Sequence, residues 1–257
     1  MGHLKIVPDQ VLRIGSGVGL RAFGPSLTFS QRMLLLSPLA YWRLNEAAGT
    51  SGAGSVLDAS GNSRTGTPTV VTFGGAGIGD GLTSASFNGT ASYINVYSAA
   101  LNAGFSGAAG TMLAWLKVSG AGVWTDAATR VAYKIAVDGS NSIKVYRTTT
   151  NNRLAFDYVA GGTAKTINVD GLSYTDWFQV AITWTKAGDQ AIAYINGAQV
   201  GTTQTGLGTW AGNLSNGNCQ IGSTNTTPAQ VWSGSIAHAA LFDSVLTPSQ
   251  IAALANP

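Results

Sequence analysis

Cysteine is all but missing: Cys219 stands alone, so neither an intrachain disulfide nor a thiolate metal cluster can form. Glutamate is as scarce, with Glu46 the single example, and runs of strong helix formers are nearly absent, which argues against a helical or α/β architecture. Charged residues make up 10% of the chain, where an average soluble domain carries about 25%. The surface must therefore be covered by hydroxyls and amides. The only histidines, His3 and His238, lie at opposite ends of the sequence, which leaves a nucleophilic triad without a plausible base. No apolar run approaches the length of a bilayer span; Met33 to Leu36, followed by Ser37-Pro38-Leu39, is far too short, and no membrane insertion is expected.

What is present instead is glycine, 34 residues in 257, together with abundant Thr, Ser and Asn. That chemistry suits many strands joined by tight turns, and the length fits one large all-β domain plus an appendage. The clearest stretch runs from Trp177 to Gly201. Phe178, Val180, Ile182 and Trp184 recur at every second residue, opposite Gln179, Ala181 and Thr183, as in a strand. A turn at Gly188 and Asp189 leads into Ala191 to Ile195. Asn196-Gly197 then reverses the chain again, because both residues tolerate the positive φ of a type I′ hairpin. The expectation is a three-stranded antiparallel meander.

Hairpins are also expected across Tyr133 to Tyr146, with Asp138-Gly139-Ser140 at the bend, and across Arg153 to Tyr158 and Ala164 to Val169, around Gly161-Gly162. Near the end, Thr247 as a cap, Pro248 in the first turn and the apolar spacing of Ile251 and Leu254 predict a short closing helix.

Residues 1–37 read differently from 38–257. Gly15-Ser16-Gly17-Val18-Gly19 and Gly24-Pro25 interrupt short apolar pieces, and no period is long enough to predict a helix. The net charge of +3 is uneven: residues 1–43 hold Lys5, Arg13, Arg21, Arg32 and Arg43 against Asp9, for +4, and the remainder is −1. These bases stand eight to eleven residues apart, a poor pattern for nucleic acid. Residues 1–37 are expected to be a docking arm, the alternative being an extra edge strand on the chain's own domain.

The order of landmarks over residues 39–254 resembles the laminin-G-like, concanavalin A-like jelly roll in the form found in bacterial and phage proteins. The landmarks are Tyr41-Trp42-Arg43-Leu44-Asn45-Glu46, Asp58-Ala59-Ser60-Gly61-Asn62 and Ala85-Ser86-Phe87-Asn88-Gly89, then Tyr93-Ile94-Asn95-Val96 and Thr111 to Lys117. The Trp177 to Gly201 meander, Gln220-Ile221-Gly222, Trp232 to Ile236 and Ala240-Leu241-Phe242 complete the series. The resemblance implies an all-β, two-sheet antiparallel sandwich, which the strand and turn spacing suggests independently.

The resemblance also bears on function. Glucanases of this fold flank an aspartate with two glutamates on one strand; with Glu46 alone, no catalytic residue is expected and the chain is read as a non-enzyme. Related jelly rolls bind calcium through an Asp-x-Ser-Gly-Asn loop, which makes Asp58 and Asn62 metal-ligand candidates, although the family's late acidic positions are Ala237 and His238 here. The competing role for Asp58 is an Asx turn. Sugar contact is a further implication, and Trp124, Tyr174, Trp210 and Trp232 lie beside turns where their rings could stack on a ligand. Trp42, Trp115, Trp177 and Trp184 occupy strand positions and are expected in the core.

No charged-then-apolar export signal precedes the domain, so a surface role calls for another route, such as release within a virus particle. The expectation is a multi-copy virion structural protein, a capsid decoration or a tail or fibre component. The arm would dock on other virion proteins and the jelly roll would face surface glycans. A free carbohydrate-binding module or adhesin, extracellular or at a cell surface, is the alternative, with a glucanase behind it.

Overall fold

The computed structural model describes residues 27–257. Two antiparallel sheets face each other as a jelly-roll sandwich. Numbered in chain order, the first sheet runs β13 (Ala198–Gln204), β12 (Gln190–Ile195), β11 (Phe178–Thr185), β6 (Ala109–Val118), β15 (Ser233–Phe242), β4 (Thr83–Asn88) and β3 (Thr72–Ala76). The short β1 (Ala40–Trp42) also pairs with β15. The second sheet runs β10 (Thr163–Val169), β9 (Leu154–Ala160), β8 (Ser142–Arg147), β7 (Arg130–Ala136), β14 (Gln220–Ile221), β5 (Tyr93–Asn95) and β2 (Thr67–Thr69).

The expected meander forms as β11, β12 and β13. Ile195 pairs with Ala198 across Asn196 (φ 48°) and Gly197 (φ 79°), the left-handed pair that a two-residue hairpin requires. Phe178, Val180, Ile182 and Trp184 enter the core between the sheets, together with Trp42, Met112 and Leu116 from the first sheet and Tyr133, Ile143 and Phe156 from the second. Burying each large apolar side chain contributes about 1.5–3 kcal/mol. The hairpins β7–β8 and β9–β10 also stand where the turn residues place them.

A second apolar cluster covers the outer face of the first sheet. Leu113, Trp115, Ala181 and Tyr194 project from that face and are roofed by two short helices. The C-terminal one, α3 (Pro248–Ala253), carries the predicted threonine cap: Thr247 Oγ1 accepts from Gln250 N, and the Gln250 side chain accepts from Thr247 N. The other, α1 (Phe29–Leu35), lies where the sequence suggested no helix. Its start is sealed by the same reciprocal bonding, between Thr28 and Gln31. Phe29 and Met33, one turn apart, bury against the sheet. Arg32 from α1 donates to the carbonyls of Ala253 (2.7 Å) and Asn256, placing a cation at the C-terminal end of α3. The described part of the expected arm therefore packs on the domain as a helix rather than as an edge strand. Residues 1–26, the rest of that arm, lie outside the described residues.

Candidate functional site

With the outer face of the first sheet roofed, the outer face of the second carries a row of half-buried and buried polar side chains. Alternation sends Ile94, Tyr133, Ile135, Ile143, Val145, Phe156 and Ile221 inward, so their chain neighbours point outward. Register then lines up one outward residue per strand. Thr67 pairs with Asn95, Asn95 with Gln220, Gln220 with Lys134, Lys134 with Lys144, Lys144 with Asp157, and Asp157 with Thr166. A single polar row thus crosses all seven strands. Directly opposed side chains on such a row sit about 5 Å apart.

At one end of the row Asp157 is saturated. Its carboxylate lies 3.2 Å from Lys144 Nζ and accepts from Thr166 Oγ1 at 2.7 Å and from the Tyr146 hydroxyl at 3.4 Å. Burial, then the neighbouring Asp157 charge, pushes the Tyr146 hydroxyl well above its ordinary pKa, so it stays a donor. The Lys144 ammonium also lies over the Tyr146 ring, 4.2 Å from its centre. At the other end the Asn95 amide donates to Asn216 Oδ1 at 2.8 Å, and Gln220 Nε2 donates to Asn95 Oδ1 at 3.3 Å. Lys134, in the middle, donates to the Thr224 carbonyl at 3.1 Å, and burial, then the Lys144 charge, pulls its pKa below the usual lysine value. Such a row can bind polyols by paired hydrogen bonds. It carries one carboxylate, Asp157, where glycoside hydrolysis needs two.

The aromatic candidates fare differently. Trp124 and Trp232 are fully buried, contrary to the expectation that they reach solvent. Trp124 lies in a 3-10 turn (Ala121–Trp124) that tucks its ring under the loop, with Nε1 donating to the Tyr174 carbonyl at 2.7 Å. Trp232 precedes β15, and its Nε1 donates to the Lys117 carbonyl at 3.3 Å. Trp210 is half-buried, edge-on to Phe105 at 5.4 Å. Tyr174 remains exposed, stacked on Phe178 at 5.1 Å. None of the four lies on a strand of the second sheet, which carries the polar row. Of the tryptophans expected in the core, Trp42 and Trp184 lie between the sheets, Trp115 lies beneath α1 and Trp177 is half-buried at the same cluster.

Asp58 closes its own loop. Oδ1 accepts from Tyr41 N (3.0 Å) and Ser60 N (2.9 Å), and Oδ2 accepts from Ser60 Oγ (2.8 Å) and Arg64 N (2.9 Å). Asn62 turns its amide donor toward the carbonyls of Pro38 and Leu39. Calcium prefers six to eight oxygens, and a carboxylate already taking four hydrogen bonds beside an amide that presents its nitrogen does not fit that ion. A 320 Å³ cleft lies alongside, lined by Arg43, Asn45, Glu46, Leu57, Asp58 and Ala59. There Glu46 accepts from Leu57 N at 2.9 Å, and burial raises its pKa.

His238 takes a role of its own. It sits in a bulge of β15 at φ 52°, fully buried beneath α1. Its Nε2 is 3.0 Å from Asp80 Oδ2, and its Nδ1 is 2.6 Å from the Tyr41 hydroxyl, which in turn meets Ser30 Oγ at 3.2 Å. A proton on Nε2 facing Asp80 makes Nδ1 the acceptor of the Tyr41 hydroxyl. Sealed from solvent, this chain fastens α1 to the sheet. Cys219 is likewise enclosed, its thiol pushed up to about 11 by burial.

Comparison with known proteins agrees with this architecture. The binding domain of Paraclostridial Mosquitocidal Protein 1 superposes with a TM-score of 0.62 at 15% identity, covering 87% of this chain and 52% of that one. The botulinum neurotoxin type G receptor binding domain gives 0.60 at 15%, with coverages of 85% and 51%. The chain thus spans about half the length of those toxin domains. Domain 4 of AbnA, a GH43 extracellular arabinanase from Geobacillus stearothermophilus solved in complex with arabinotriose, gives 0.61 at 18%, covering 85% of this chain and 98% of the domain. No curated protein sequence matches. Residues 88–252, more than half of the chain, match the laminin G profile described as the concanavalin A-like lectin/glucanases superfamily, and the chain belongs to that superfamily.

Proposed function

We propose that this lectin-like domain is a non-catalytic glycan-contact module, presented with the outer face of its second sheet toward the ligand. One observation carries the reading: the two outer faces are unlike. The first is closed by α1 and α3, so residue 27 enters the domain on that side, and the polar row lies on the opposite side, partly exposed except at Gln220 and Asp157. A domain tethered through that end points the row away from its carrier. The arabinotriose complex of the arabinanase domain supports the choice of a carbohydrate surface, and the receptor binding described for the toxin domain supports a contact role. The lone carboxylate of the row supports a binding role over hydrolysis.

The test is a glycan array probed with the intact chain and with a Tyr146→Ala, Asp157→Asn double variant. Binding that disappears in the variant while its thermal midpoint holds near that of the parent supports the reading. Binding that persists unchanged places the ligand elsewhere.

As carrier we propose a phage particle, with the domain in many copies on the virion surface and residues 1–26 engaging other virion proteins. The tether geometry and the basic leading segment support this. Deleting residues 1–26 should abolish incorporation into particles and leave glycan binding intact. Incorporation of the truncated chain would refute the anchor and favour a free binding module.

A further inference from the structure

The middle of the polar row is electrically unfinished. Among the described residues the row holds two ammonium groups, Lys134 and Lys144, in register on adjacent strands, against one carboxylate. Asp157 is committed to Lys144, Thr166 and Tyr146. Lys134 is left with neutral acceptors, the Thr224 carbonyl at 3.1 Å and Asn218 Oδ1 at 3.5 Å. A half-buried cation beside a second cation is disfavoured unless an anion joins them.

The residue next to Lys134 supplies a second, independent sign. Gln220 is fully buried, and its Oε1 has no hydrogen-bond partner among the described residues. The orientation of its amide is set by Nε2, which donates to Asn95 Oδ1 and lies 3.5 Å from the Asn216 carbonyl; a flipped amide would oppose oxygen to oxygen at both contacts. An acceptor without a donor therefore stands directly beside a cation without an anion. Buried groups of this kind are normally satisfied.

We infer that the row recognises an acidic glycan, a sugar chain whose monoanionic group, carboxylate or sulfate, seats at Lys134 beside Lys144. The inference rests on the glycan-contact reading and narrows it to a ligand class. Asn95 and Thr67 extend the row on the Gln220 side for further hydroxyls, and Tyr146 offers its ring edge on the Lys144 side.

The probe is a panel of immobilised carboxylated, sulfated and neutral oligosaccharides of matched length, with the carboxylated members also presented as methyl esters. The esters keep the shape of the sugar and remove its charge. The expected result is retention on acidic members, with affinity falling at least about tenfold on esterification, the loss of one charge-assisted hydrogen bond. Lys134→Gln should erase the difference between acid and ester. The ester comparison needs no variant, so it decides the matter even if Lys134→Gln folds poorly. Retention of carboxylated members alone or sulfated members alone supports the inference and identifies the anion. Equal retention of acid and ester, or of neutral members alone, overturns it and leaves the glycan-contact reading standing. No retention on any member overturns both.

Discussion

Replacing Phe29 with alanine tests whether α1 belongs to the domain. Phe29 is buried on the outer face of the first sheet, edge-on to Trp115 at 6.3 Å and to His238 at 4.6 Å between ring centres. A phenylalanine removed from a packed site costs about 3–5 kcal/mol. Here the ceiling is the docking free energy of α1, because a seven-residue helix has no stability of its own once undocked. The lower figure is therefore expected, about 3 kcal/mol. For a domain of this size that lowers the thermal midpoint by about 6–12 °C. Tryptophan fluorescence during thermal unfolding is the assay, with Trp115 beneath the helix as the local reporter. Leu35→Ala is the control: it lies on the same helix but is 70% exposed, and the change should stay within about 0.5 kcal/mol. Should Phe29→Ala behave like Leu35→Ala, α1 would stand outside the cooperative unit and the folded domain would begin after it.

Three further outcomes are expected. Tyr41→Phe takes away the hydroxyl that joins Ser30 to His238 and should destabilise by about 1–3 kcal/mol; chemical denaturation measures it, and a neutral result would remove the Ser30–Tyr41–His238 chain as a fastening. Asp58→Asn replaces an acceptor facing backbone N–H groups with a donor and should cost a similar amount, about 1–3 kcal/mol. Added calcium should leave the unfolding midpoint of the parent protein where it was, and a rise lost in Asp58→Asn would revive the metal site. Finally, burial pushes the Asp80 carboxyl upward, but His238 and the Leu82 N–H outweigh it and hold the pKa below the ordinary aspartate value. The native state then binds fewer protons than the unfolded state in that range, so the contribution is complete above the unfolded value and fades as pH falls through the folded one. An acid unfolding series should show this loss below about pH 4, and Asp80→Asn should flatten it.

The parts of the fold that were legible in the sequence are those written locally. Alternation from Phe178 to Trp184 and the Asn196-Gly197 pair specify a strand and a hairpin within twenty residues, and tertiary packing has only to accept them. The threonine-capped helix near the C-terminus is legible for the same reason. Helix α1 left a legible mark as well, Thr28 followed three residues later by Gln31, but seven residues make too few turns for a period to stand out. The polar row could not be read. Thr67, Asn95, Gln220, Lys134, Lys144, Asp157 and Thr166 are ordinary strand residues one at a time, and only the register between strands distant in sequence puts them side by side. The loop tryptophans misled for the converse reason: proximity to a turn does not say which way a ring points. In Trp124 the indole N–H found the Tyr174 carbonyl by folding inward. The late position where the resemblance implied an acid shows how partners decide a residue's role. With His238 there, the site became an internal fastening to Asp80 and Tyr41 rather than a surface ligand set.

The clasp of Arg32 on Ala253 and Asn256 has a mechanical consequence. It joins the two ends of the folded domain on the face opposite the polar row, so tension applied through them loads the contact between α1 and α3 before it reaches any strand ladder. That contact holds two hydrogen bonds from one side chain, and neither belongs to a strand ladder. Opening that contact would release a short length of chain and leave the seven-strand face folded.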